Sequence, residues 1–138
     1  MPSSPTPPSR WRGCIRARRH PTRSMLEAIA GSATLEVPAI WPLEVANALT
    51  VLVRRRKLTV EDRRIAVSQL RELPVTVDHE MAALAFTTLS DLAAEHGLSV
   101  YDAAYLELAL RRKLVLGCKD GPLRDAARRC GVKGWAGR

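Results

Sequence analysis

The chain is predicted to fold as an α/β domain, a parallel sheet covered on both faces by helices. Three observations lead there. Short apolar runs at 35–40, 75–77 and 114–118 alternate with helix-length segments, the pattern of strands joined by helical crossovers. Two of those segments open on capping boxes, Thr59-Val-Glu-Asp62 and Ser99-Val-Tyr-Asp102, where a hydroxyl and an acid three residues on satisfy orphan backbone groups. The run at 114–118 is apolar without alternation, which suits a strand buried on both faces.

Taken in order, residues 1–23 hold five of the nine prolines and six arginines with no acid. They show no periodicity and little apolar content, so a loose, disordered leader is expected, followed by one domain over 24–138. An Arg-rich leader of this kind suits a transit peptide, an RNA-binding arm or a segment with no folding role. Residues 24–33 read as a short helix with Met25, Leu26 and Ile29 on one face. The strand at 35–40 contains Pro38, an awkward residue in a central position. Trp41-Pro42 starts a helix, with Pro in its first turn and Val45, Leu49, Leu52 and Val53 as its inward stripe. The basic run 54–57 closes it. Thr59 opens the next helix, with Ile65, Leu70 and Leu73 inward, and Pro74 ends it. After the 75–77 strand, Asp78 caps a helix carrying Met81, Ala85, Leu89 and Leu92, which stops at Gly97. Ser99 caps a helix that is apolar nearly all round through Ala103, Ala104, Leu106, Leu108, Ala109 and Leu110, so it should be largely buried. Arg111, Arg112 and Lys113 complement its dipole. The 114–118 strand follows, and Asp120 falls just past its carboxyl end. Pro122 begins a last helix with Leu123, Ala126, Ala127 and Cys130 inward, and 132–135 reads as a final edge strand.

With 138 residues the chain is long enough for one core. Six aromatics in all leave that core to Leu, Val, Ile and Ala. No apolar run is long enough to cross a bilayer, and no hydrophobic signal-peptide region follows Met1. Cys14, Cys118 and Cys130 lack CxxC spacing, which argues against a disulfide framework or a zinc site and fits a reducing cytoplasm. His20, His79 and His96 form no ligand pair. The net charge of +8 sits mainly in the leader, since 24–138 carry 16 basic and 14 acidic side chains. A polyanionic partner is plausible on this charge, but the domain alone does not demand one.

Three acids occupy comparable places. Glu44 and Asp102 lie in first turns of helices, and Asp120 follows a strand. If the strands are parallel neighbours, all three converge at one sheet edge, where α/β folds bind ligands. Oxygen donors without Cys or His suit a hard cation such as Mg²⁺ or Mn²⁺. Each acid also has a local explanation: a cap at Asp102, a favourable dipole at Glu44, a turn at Asp120.

Trp41-Pro-Leu-Glu-Val-Ala-Asn-Ala-Leu49, Leu98-Ser-Val-Tyr-Asp-Ala-Ala-Tyr-Leu-Glu-Leu-Ala109 and the strand leading to Asp120 resemble the PIN-domain ribonucleases of the VapC toxin type, over roughly residues 24–132. The resemblance implies a three-layer α/β/α domain. Glu44, Asp102 and Asp120 would hold Mg²⁺ or Mn²⁺ and cut RNA, with Glu44 also suited to activating water and Asn47 to positioning groups beside them. A homodimer restrained by a cognate antitoxin protein is implied too. The chain departs from that pattern in two places. The family opens on a strand ending in an Asp, whereas this chain has no Asp before Asp62. The first strand is therefore expected to be missing or replaced, and the fourth acid absent. Cys118 stands where the family often has Thr or Ser. The absent acid supports an alternative, an inactive remnant that binds antitoxin or RNA without cleavage.

Overall fold

A computed structural model describes residues 12–15, 34–118 and 121–134. Four strands, β1 (Arg12–Ile15), β2 (Thr34–Pro38), β3 (Val75–Asp78) and β4 (Val115–Gly117), form one sheet in the order β3-β2-β1-β4. Every pairing is parallel: Gly13 faces Leu35 on one side and Val115 on the other, and Leu35 faces Val75. The helices are α1 (Trp41–Arg54), α2 (Val60–Arg71), α3 (Met81–Leu84), α4 (Ser90–His96), α5 (Val100–Arg112) and α6 (Gly121–Arg129), with a π-helical stretch, Ala85–Leu89, joining α3 to α4. The architecture is the expected three-layer α/β/α.

The first strand is replaced rather than missing. Arg12–Ile15, inside the stretch expected to be loose coil, lies between β2 and β4. The reason is non-local. Without it, β2 and β4 would leave backbone donors and acceptors unpaired in the core, and Gly13-Cys14 fits that slot with Cys14 wholly buried. Residues 24–33 and Asp120 lie outside the described residues.

Expected boundaries hold closely elsewhere. Pro38 closes β2 opposite Asp78, where a lost N–H costs the ladder least. Pro42 sits in the first turn of α1. Thr59 and Ser99 accept hydrogen bonds from the N–H groups of Asp62 and Asp102 at 2.9 and 3.0 Å. Gly97, at φ 66°, ends α4 in the left-handed conformation. Two expectations need correction. Ile65 is exposed rather than inward, and no residue of α2 is fully buried. Of the strand expected at 132–135, the described residues 132–134 make a single parallel bridge, Leu116 to Gly134, with Leu116 N–H donating to Lys133 O.

The core is aliphatic. It is built on α5, which buries Ala103, Ala104, Tyr105, Leu106, Leu108 and Ala109. Leu35, Val37, Cys14 and Leu116 from the sheet, and Leu123, Ala126 and Ala127 from α6, belong to the same core as Tyr105, Leu106, Leu108 and Ala109. Met81, Leu84, Leu92 and Ala93 pack against Leu89, Ala103 and Ala104.

Candidate acid site

Asp102 is held by its position. Ser99 caps α5, and the next turn carries Asp102 into a buried place with only 7 % of its surface exposed. Glu44 follows β2 through the turn at 39–40 and is half-buried in the first turn of α1. The two are tied through Tyr105, which is wholly buried and donates its phenolic O–H to Glu44 Oε1 at 2.5 Å. Tyr105 lies one turn after Asp102 on the same helix, and residues three apart are neighbours on a helix surface. Glu44 is thereby held against the stretch of α5 that carries Asp102. Asn47 is one turn further along α1 and exposed. Trp41, three residues before Glu44, is buried with its Nε1 lacking an acceptor among the described residues.

The bond thus links Glu44 to the residue one turn after Asp102 on α5, while Asp120 is outside the described residues. Among the described residues no group of three or more His, Cys, Asp or Glu side chains is arranged to hold a metal ion. The donors present at Glu44 and Asp102 are oxygens, the chemistry a hard cation takes. The central strand reads Arg-Gly-Cys-Ile and supplies no carboxylate. The Cys14 thiol is pushed well up by burial, reinforced by the negative charges of Glu36, Cys118 and Asp78.

A second cluster of charge was not legible in the sequence. Arg111 binds Asp78 through both guanidinium Nη atoms, at 3.0 and 2.7 Å, and also Glu107 at 2.7 Å. Arg112 donates to the buried Glu36 of β2 at 2.8 Å. The hydrogen bond from Arg111 holds the Asp78 carboxyl below its usual range, and Glu107 with Asp78 raises Arg111. Arg111 and Arg112 thus pin α5 onto β2 and β3. The run 54–57 is exposed, and Arg56 and Lys57 line an open groove of about 380 Å³ with Val53, Leu58, Thr59, Val60 and Asp62. Among the described residues, no helix is long and apolar enough to cross a membrane.

No protein-family model and no curated protein matches the chain. Among solved structures, it is similar to the crystal structure of PAE2754 from Pyrobaculum aerophilum, with a TM-score of 0.55 at 20 % identity over 84 % of this chain and 86 % of that one. At that identity the likeness shows the fold: a chain of nearly the same extent takes the same course.

Proposed function

We propose that this chain is a metal-dependent endoribonuclease of the PIN type, the toxin half of a toxin–antitoxin pair. The observation that supports it is the Tyr105–Glu44 hydrogen bond, which draws a carboxylate from α1 to the stretch of α5 holding buried Asp102. In this reading Asp102, Asp120 and Glu44 would hold Mg²⁺ or Mn²⁺, which would supply positive charge to a phosphodiester undergoing in-line displacement. Glu44 would either hold the metal or orient and deprotonate the attacking water, with Tyr105 fixing its rotamer, and Asn47 would position these groups or the phosphate. The exposed basic run 54–57 attracts the RNA backbone. A second copy and an antitoxin are the protein partners.

One observation favours a second reading. The central strand carries Cys14 and no acid, so the fold can serve as a remnant that binds RNA or antitoxin without cutting. The test titrates Mg²⁺ into the full chain with a looped RNA, alongside Asp102→Asn. Cleavage that requires the ion and disappears in the variant supports the nuclease. RNA binding indifferent to both, with intact RNA throughout, supports the remnant.

A further inference from the structure

Building on the ribonuclease reading, we propose that the corner between α1 and α2 is a second RNA subsite, in which a cationic edge holds the backbone of a single strand and the groove beside it takes one base. Residues 54–64 hold six basic and two acidic side chains, a net charge of +4. The remainder of 24–138 holds ten basic and twelve acidic side chains, a net charge of −2. The positive charge of the folded body is therefore gathered at this one corner.

Arg54, Arg55, Arg56 and Lys57 are all exposed. Among the described residues none of the four makes an ion pair, whereas Arg64, Arg111 and Arg112 are each held by an acid. Adjacent cations left to water repel one another, and a polyanion relieves that repulsion. Arg56 stands at φ 58°, just past the end of α1, where helices favour glycine. A cation kept at a strained position points to a use for the side chain that the turn itself does not require.

The shape of the groove favours RNA over a protein segment. Its volume is about 380 Å³, with Val53, Leu58 and Val60 as apolar walls and Arg56 and Lys57 beside them. An amphipathic partner helix needs an apolar stripe several turns long, which three aliphatic side chains do not supply. An unstacked base offers an apolar face close to a phosphate, and that matches apolar walls next to cations. Asp62 also lines the groove and opposes an anion. It is one exposed carboxylate against two cations, and its neighbour Glu61 is paired with Arg64. Along α1, ten residues at about 1.5 Å each put Arg54 about 15 Å from Glu44. That span is about four nucleotides of a stacked strand, whose charges recur every ~3.4 Å. A strand with one phosphate at the acids thus brings a later one to 54–57.

The test follows a fluorescein-labelled uridine octanucleotide binding to the full chain by fluorescence anisotropy, without divalent ion, over a series of KCl concentrations. Arg56→Gly should weaken binding about fivefold or more and take about one from the slope of log affinity against log salt, as the loss of one phosphate contact does. Its urea midpoint should rise, because glycine is unstrained at that φ, so a merely structural Arg56 would not weaken RNA. Val60 is exposed in the first turn of α2, where an acid suits the helix dipole. Val60→Asp should therefore fold and still weaken the octamer about fivefold or more. An abasic octamer of equal charge should bind the wild type about threefold or more weakly, since it leaves the groove empty. Four results would each overturn the subsite: no salt-dependent binding by the wild type, unchanged affinity in both folded variants, equal affinity for the abasic strand, or an octaglutamate peptide that displaces the RNA as well as unlabelled octamer does. Weakened variants of a wild type that shows no Mg²⁺-dependent cleavage would support the subsite and remove the nuclease reading, so the two fail separately.

Discussion

A phenol inside an apolar helix must find an acceptor. Tyr105 finds one in Glu44, 61 residues earlier in the chain. Tyr105→Phe keeps the ring and deletes the bond. With a charged acceptor the loss should be about 1–2 kcal/mol of stability, moderated because half-buried Glu44 regains water; urea denaturation reads it. The same scale carries a pH prediction. Arg111 lowers the Asp78 carboxyl in the folded state. A lowered folded value means that stability is fully present above the unfolded carboxylate value of about 3.9 and is lost as pH falls through the folded one. Midpoints should therefore hold from neutrality down to about pH 5 and drop below about pH 4, with a shallower acid limb in Asp78→Asn. Sequence reading placed Glu44 and Asp102 but missed both of these partners. The signal for Tyr105 was present, a lone phenol one turn after the acid on an apolar face. For Asp78 a helix cap was expected, but Glu80 is the N-cap of α3 and carries no side-chain cap bond; Asp78 ends β3, and its Oδ2 accepts the Glu80 N–H at 3.2 Å. The dominant partner comes from 33 residues away, which no local pattern encodes.

Helix ends were the best-read features of the elements, because caps and stop residues act within one turn. Which face a helix buries was read less well. Periodicity locates an apolar stripe but not what covers it, so α5 is largely buried as expected except at Leu110, 39 % exposed, and Ile65 on α2 is 43 % exposed. The π-helical stretch at Ala85–Leu89 had no signal in the apolar spacing that reads straight through it. Two variants probe the element that both the core and the acid site depend on. Leu106 is wholly buried, so Leu106→Asp should abolish the folded state by placing an unpaired carboxylate in the core at a cost of several kcal/mol. A cooperative melt near the wild-type temperature would show that the side chain does not face inward. At the other end of α5, Lys113 adopts φ 57° as its C-cap. A residue with a Cβ is strained there and glycine is not. Lys113→Gly should stabilise the domain by about 0.5–1 kcal/mol once the greater freedom of the unfolded chain is subtracted. A lower midpoint would mean that the lysine side chain makes a compensating contact.

At the scale of the molecule, the sheet closes around its least promising segment. Arg12–Ile15 has neither alternation nor β-branched content before Ile15, and composition alone marks the whole leader as loose. Its place is set by its neighbours, since a parallel sheet ordered β3-β2-β1-β4 needs something between β2 and β4 to complete both ladders. A slot defined on both sides imposes backbone pairing and little else, and a four-residue strand with glycine and cysteine at its centre meets that demand. The same freedom explains how the slot is filled by residues that bring no carboxylate to the acid site. Deleting residues 1–15 should therefore remove far more than a tail. It should strip hydrogen-bond partners from β2 and β4 and expose the apolar surface around Leu35, Val37 and Leu116, which are buried in the intact sheet. The truncated chain is expected to lose cooperative urea unfolding and to associate in sedimentation, as unpaired strand edges do. In the full chain, the Cys14 amide should exchange with solvent deuterium slowly, as the amide of a strand paired on both sides does. A truncated chain that stays monomeric and melts like the full one would show that β2 and β4 pair without β1 and that the leader is dispensable.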